Sequence, residues 1–444
     1  MNSPTTRVAI VGSGPSGFYA AGALLAVDGL AVDMFDRLPT PFGLVRAGVA
    51  PDHPKIKSVT RIFERSAAHE RFRFIGNVRV GFDLATEELR RCYDAVIYAY
   101  GAGRGKLAGV PGQELPGNFA AADIVGWYNG HPDRADLMPC LDTERAVVIG
   151  NGNVALDVAR MLALPSETLA ATDIADHALN ALRRSRLREV VVLGRRGADV
   201  AAFTLPEVLE LGELPGVDIV VDGAQLPPRD ADLPESVQEK LEALRRFSAR
   251  PGRDSHRRVV LRFDTTPEAI VGDHRVTAIR TRNTGRENHS APTEWLPAGL
   301  IVHAVGYTGS PLPGLPFDSE RGIVPNLRGR ITENGVPVPG QYVTGWIKRG
   351  PTGIIGTNRV CATETADSVL ADLRDGLLPA RPADDRCDVV EVLGRRGIDI
   401  VTFDGWKVID DCERRRGEAA GRPRVKLVEL AQLVAVGTDT HHLR

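Results

Sequence analysis

Hydrophobic residues recur along this chain in short unbroken runs closed by glycine-rich turns, and these runs alternate with longer segments of helical spacing. The clearest unit spans residues 7–36, RVAIVGSGPSGFYAAGALLAVDGLAVDMFD. It holds an apolar run, a turn, a helix-length apolar segment, a second apolar run and a terminal acid. Continuous apolar runs suit strands of a parallel sheet buried on both faces. A second unit, RAVVIGNGNVALDVARML, repeats the strand, turn and helix pattern, and the apolar strand REVVVLGRRG comes later in the chain. Two further apolar runs, YDAVIYAYG and LIVHAVGY, have the same buried character. The pattern predicts an α/β fold of two dinucleotide-binding, Rossmann-like domains, the second inserted into the first. Crossings near residues 109 and 310 give segments 1–108, 109–310 and 311–444, the last with a C-terminal extension.

Between these units the pattern is less regular. RLPTPFGLVRAGVAPDHPKIK, rich in proline and glycine in its first half, predicts a fixed irregular loop long enough to be a binding element. Helical spacing follows over 55–69, and RFRFIGNVRVG predicts a hairpin of two short strands around Gly76 and Asn77. LPESVQEKLEALRRF predicts a helix running into SARPGRDSHRR. GQYVTGWIKRGPTGIIGTNRVCATETADSVLADL joins a strand to a helix through a glycine-rich turn, with Thr357 or Asn358 as its cap. Gly405 and Trp406 read as packed, and a closing helix is expected over 426–436.

The turns carry the candidate chemistry. Gly12, Gly14 and Gly17 are spaced G-x-G-x-x-G, which suits a tight turn, a bare backbone facing a pyrophosphate and a helix packed close on its strand. The phosphates would sit at a helix N-terminus, and Asp36, about 20 residues on, is placed to accept ribose hydroxyls. The second turn reads G-x-G-x-x-A at Gly150, Gly152 and Ala155, but the strand after it ends in Arg195 and Arg196 rather than an acid. Two guanidiniums favour the 2'-phosphate of NADP over the bare hydroxyl of NAD. An N-terminal fingerprint followed by a second one suggests FAD first and NADP second.

Composition narrows the classes. The 444 residues exceed one usual core, and a formal net charge of −2 gives no general pull toward nucleic acid or membrane. No apolar run reaches the length of a membrane span, and the residues before the first strand leave no room for a leader, so a cytoplasmic location is expected. The five cysteines, Cys92, Cys140, Cys361, Cys387 and Cys412, are scattered and never spaced C-x-x-C. That spacing argues against a disulfide framework, a protein-held metal or iron–sulfur site and a redox dithiol, and it fits a reducing compartment. The dithiol's absence removes a disulfide reductase of the thioredoxin reductase type. A flavin monooxygenase or NADPH oxidase, and an electron-input subunit of a larger enzyme, stay open on composition alone. The densest basic stretch includes Arg245, Arg246, Arg250, Arg253, Arg257 and Arg258. It reads equally as a solvated face or as a dock for an acidic protein. Arg183, Arg184, Arg186 and Arg188 form a second basic segment, on the same face or flanking the NADP phosphate.

Four strings, PFGLVRAGVAPDHPKIK, VGWYNGHP, GNGNVALDVAR and GWIKRGPTGIIGTN, together resemble the adrenodoxin reductase-like ferredoxin–NADP reductases, particularly the bacterial members. The resemblance implies a monomeric or weakly associating FAD enzyme that takes a hydride from NADPH and passes single electrons to a ferredoxin-type iron–sulfur protein. Carried over by position, it implies FAD contacts at Gly17, Asp36, Leu44, Val80, Trp346, Gly353, Ile354 and Ile355. It implies NADP contacts at Asn151, Gly152, Asn153, Val154, Arg195, Arg196, Glu207 and again Gly353. His53 and Glu210 match positions near the nicotinamide, where they could orient it or pass a proton. Glu207 also completes T-x-x-E with Thr204, the spelling of a capping box. Two positions depart from the family: Asp36 stands where glutamate is frequent, and Lys106 where close relatives have an arginine that helps hold NADP. His303, in an apolar strand, reads as a core residue.

Overall fold

The computed structural model describes residues 6–222, 226–250, 257–284, 293–379 and 387–439. Two large sheets organise them. The first runs Asn326–Leu327, Arg330–Glu333, Val336–Val343, Ala95–Tyr98, Thr6–Val11, Leu30–Phe35, Phe72–Ile75. From Val336–Val343 to Phe72–Ile75 every pairing is parallel, with Ile10 beside both Met34 and Ile97. The second runs Asn118–Ala120, Leu300–His303, Arg145–Ile149, Glu189–Leu193, Arg257–Arg262, Val217–Val221, parallel throughout.

The central strands are apolar at almost every position because helices or loops cover both faces. Val8, Ile10, Met34 and Ile97 face one core, Ala9, Val11, Phe35 and Tyr98 the other. The second sheet is built likewise, with Val148 and Val190 on one side and Val147 and Val191 on the other. At about 1.5–3 kcal/mol per fully buried side chain, these strands supply much of the hydrophobic stabilisation. The chain passes between the sheets at two points lying side by side, where Arg104–Gly105 pairs antiparallel with Tyr307–Thr308. A three-stranded antiparallel sheet, Thr265–Val271, Ala278–Asn283 and Thr293–Pro297, flanks the second large sheet.

Three expectations need correction. The hairpin around Gly76 does not form: Phe72–Ile75 pairs parallel with Leu30–Phe35, and Gly76 instead bridges Val401 in the C-terminal segment. Val78 and Val80 are buried, which imitates strand alternation, although the one bridge there joins Val80 to Leu84 rather than to Phe72–Ile75. The proline-rich loop is not wholly irregular, since Leu44–Ala47 and Pro54–Lys57 each form one helical turn. Finally, Cys92 and Cys387, 295 residues apart, are disulfide-bonded at a Cα separation of 5.1 Å. Spacing arguments see only cysteines close in sequence, and this pair meets through tertiary structure. The bridge removes the cysteine argument for a reducing compartment.

The C-terminal extension forms Val389–Arg395, Phe403–Ala419 and Leu430–Thr438. Trp406 is buried edge-on against Phe42, ring centroids 5.8 Å apart, so the extension braces the proline-rich loop. Its Arg422 donates to the Thr172 and Ile174 carbonyls, carrying the brace across to the other lobe.

Candidate active site between the two sheets

The first glycine turn follows Thr6–Val11 at the point where the strand order reverses, the usual ligand crevice of such sheets. Gly12 has φ +111°, and a Cβ there would lie 2.5 Å from the Ala99 carbonyl oxygen. Gly17 packs so closely that a Cβ would collide with the Gly12 carbonyl. Gly14 has nothing within 4 Å of its Cβ position and begins the helix Pro15–Leu25 with no side-chain cap. One glycine makes the turn, one packs the helix, and one leaves a bare backbone facing open space with free N–H groups.

Asp36 holds this turn. Its Oδ2 accepts from the Ser13 N–H at 3.0 Å and the Ser13 hydroxyl at 2.5 Å, and its Oδ1 accepts from the Leu38 N–H at 2.9 Å. Each carboxylate oxygen has two acceptor directions, so Oδ1 keeps one for a ribose hydroxyl. Gly43 lies against Gly14 and leads into the half-exposed Leu44, while Val80 is buried in the core below. From the far end of the chain, Trp346 stands 5.6 Å from the Tyr307 ring, its indole Nε1 buried without a partner. Arg349 also has a buried Nε and Nη1 without partners. Gly353 and Ile354 are exposed just before the helix Ile355–Arg374, whose Asn358 Oδ1 accepts from Ser16 Oγ at 2.9 Å. That bond joins the starts of two helices at one cleft. Thr357 Oγ1 accepts from the Ile354 N–H at 3.2 Å from within the first turn rather than as the N-cap.

The second turn repeats the geometry: Gly150 has φ +120°, Gly152 faces open space before the helix Asn153–Ala163, and Ala155 is fully buried. The Asn151 amide packs against Gly194 and Val154 lines the core. Asn153 Oδ1 accepts from the Thr204 N–H at 2.9 Å, which fixes the start of Leu205–Leu211. Arg195 and Arg196 are exposed just past the end of Glu189–Leu193 and carry no ion pair among the described residues. Lys106 is exposed beside the paired crossings, its N–H bonded to the Gly306 carbonyl.

Between the turns lies a charged cluster drawn from three elements. His53 Nε2 meets Glu210 Oε2 at 2.9 Å, bringing together two residues 157 positions apart. Arg160, with its side chain 2% exposed, binds Asp52 through Nε at 2.7 Å and Nη2 at 3.1 Å, and Asp157 at 2.7 Å. Its Nη1 lies 3.7 Å from Glu207 and 3.6 Å from Glu210. The capping box spelled by Thr204 and Glu207 does not form: Thr204 makes no side-chain cap, and Glu207 Oε2 is buried without a hydrogen bond. Burial, then the Asp157 charge, raises the Glu207 carboxyl above its ordinary value, and burial raises Asp157. Asp52, Asp157 and Arg160 escaped the sequence reading, although D-x-x-R at helical spacing puts Asp157 and Arg160 on one face.

His303 is 1% exposed, with Nδ1 accepting from the Ala108 N–H and Nε2 donating to Asn118 Oδ1. Burial pulls its pKa down to about 4, so it is neutral and structural. Arg245 donates to the Pro227 carbonyl and pairs with Glu242 at 3.6 Å, Arg250 donates to the Gly212 carbonyl, and Arg246 and Arg250 are both exposed without an ion pair among the described residues. Arg188 lies at the opposite end of its strand from Arg195, so it does not flank the nucleotide phosphate.

Two largely parallel sheets, each with a glycine turn beyond one of its strands, give the α/β fold of the pyridine nucleotide-disulphide oxidoreductases, and that family's model matches residues 6–195. The chain is 49% identical to the NADPH-ferredoxin reductase FprA of Mycobacterium tuberculosis over 97% of its own length and 98% of that protein's. It is 41% identical to mouse mitochondrial NADPH:adrenodoxin oxidoreductase over 97% and 91% of the two chains. It belongs to the adrenodoxin reductase-type ferredoxin–NADP reductases. The structure of M. tuberculosis FprA in complex with NADPH superposes with a TM-score of 0.91 at 47% identity, covering 97% of this chain and 99% of that one.

Proposed function

We propose that this enzyme oxidises NADPH at an FAD held by the first lobe and delivers single electrons to a ferredoxin-type iron–sulfur protein. The observation that carries the reading is the His53–Glu210 contact, which joins the loop beside the first glycine turn to the helix beside the second. Bound FAD supplies a ring that accepts a hydride and gives up electrons singly.

The chain's own residues then have separable tasks. Gly12, Gly14 and Gly17 admit the FAD pyrophosphate, Asp36 takes the ribose, and the free Trp346 Nε1 and the Arg349 donors face the same cleft. Gly353, Ile354 and Ile355 bring a helix N-terminus toward it, where positive dipole density favours negative charge. Asn151, Gly152, Asn153 and Val154 line the NADP pyrophosphate, and Lys106 stands near the crossings. Arg195 and Arg196 take the 2'-phosphate. His53, Glu207 and Glu210, set by Arg160, orient the nicotinamide and hold a proton at the imidazole. Segments 1–108 with 311–444 form the FAD domain and 109–310 the NADP domain, with a cytoplasmic location as part of the same reading. Arg246, with Arg245 and Arg250, offers positive charge to an acidic ferredoxin.

Purified protein should be yellow and should bleach anaerobically with NADPH far faster than with NADH. Arg195→Ala with Arg196→Ala should raise KM for NADPH roughly tenfold to a hundredfold, the scale of lost charge-assisted hydrogen bonds, and leave NADH nearly unchanged. Equal loss with both nucleotides refutes the assignment.

A further inference from the structure

A cavity of about 800 Å³ opens at the edge of the second sheet away from the cleft. Its lining includes Arg145, Glu189, Arg257 and Arg258 at the starts of their strands and Gly299 just before a strand, whereas the glycine turn and Arg195 lie beyond the strand ends. Seven residues at about 3.3 Å each separate Arg188 from Arg195 by roughly 20 Å or more. The cavity is therefore separate from the nucleotide site.

We propose that this cavity binds a small polyanion bearing at least two phosphate-type groups. Arg145, Arg188, Arg257, Arg258 and Arg275 line it, against the carboxylates Asp142, Glu144 and Glu189. The carboxylates do not neutralise the whole set. Glu189 is shared by Arg145 and Arg258, and Asp142 pairs with Arg186 outside the lining. Among the described residues Arg188 is exposed with no side-chain partner, and the exposed Arg275 side chain hydrogen-bonds only to Cys140 Sγ, at 3.7 Å. Glu189 fixes Arg145 and Arg258, and the Ala163 and Leu164 carbonyls hold Arg257, which leaves Arg188 and Arg275 as the exposed donors of the concave space.

Shape and chemistry select the ligand. The volume falls in the range of small-molecule sites, about 300–1,000 Å³, so the cavity suits a compact ligand rather than a protein surface. Guanidinium forks bind phosphate oxygens in pairs, and several forks around one cavity favour a ligand that repeats the group.

Tripolyphosphate titrated calorimetrically into the full-length chain saturated with NADP+ tests this. The expected result is one-to-one binding, weakened at least tenfold by Arg188→Gln with Arg275→Gln and unaffected by Arg195→Gln with Arg196→Gln. Both arginines of the first pair are exposed, and an unchanged NADPH KM in that variant shows that the second site alone was altered. Absence of binding, binding indifferent to the Arg188 and Arg275 pair, loss through the Arg195 and Arg196 pair, or tighter binding of citrate or an oligoglutamate peptide would overturn the proposal.

Discussion

Arg160 is a buried cation with Asp52, Asp157, Glu207 and Glu210 around it. Glu210 keeps contact with water, but burial raises the Glu207 and Asp157 carboxyls above their ordinary values, and the single guanidinium does not cancel that cost. The sign of the pH effect follows. Below the ordinary glutamate value, Glu207 is neutral in the folded and unfolded chain and costs nothing. As pH rises through its raised folded value, the folded state loses stability relative to the unfolded. Glu207→Gln should therefore melt with the wild type near pH 4 and above it at pH 7–8; thermal denaturation at the two pH values checks this. The opposite order would mean that the Arg160 attraction outweighs burial. Glu207 and Glu210 were legible because their positions matched the resemblance. Arg160 was not, because an arginine in the middle of VALDVARML reads as a solvated helix face until the proline-rich loop folds over it.

At the scale of elements, the glycine turns were legible in full, since each spacing answers a local steric demand. They make a sharp comparison. Gly12→Ala forces a Cβ into positive φ against the Ala99 carbonyl and should destabilise the apoprotein by about 1–3 kcal/mol or more. Gly14→Ala meets nothing within 4 Å, so the apoprotein should melt like wild type while FAD affinity falls. Denaturation of the apoprotein and FAD titration separate the two effects. The supposed hairpin shows where local pattern failed. Val78 and Val80 alternate as a strand would, but their burial comes from the core beneath Phe35 and Tyr93. Pairing is a property of two segments, and the open edge of Leu30–Phe35 claimed Phe72–Ile75 first along the chain.

At the scale of the molecule, buried charge ties the C-terminal extension to the proline-rich loop of the first lobe, and Lys426 carries it to Asp173 of the second at 3.5 Å. Glu413 is fully buried, accepting from Arg46 at 2.5 and 2.9 Å, Arg424 at 2.9 Å and the Leu427 N–H at 2.9 Å. Burial alone would raise its pKa, but Arg46 and Arg424 outweigh that and hold it below the ordinary value. Glu413→Gln leaves Arg46 without its anion, while Arg424 keeps Asp410 at 2.7 Å, and should cost about 3–5 kcal/mol, read as a lower denaturant midpoint. At the proposed docking face, Arg246→Glu should slow electron delivery to an acidic ferredoxin at low ionic strength and converge with wild type at high salt. A difference that persists in high salt would remove Arg246 from the interface.

The sequence by itself determined the two glycine turns and the buried strands beside them, because each is encoded within some 30 consecutive residues by apolar runs and glycine spacing. Only the tertiary structure decided that His53 meets Glu210, that Arg160 gathers four acids, that Cys92 finds Cys387 and that five arginines line one cavity. Those contacts join segments far apart in the chain, and their energies depend on burial, which exists only once the segments have packed.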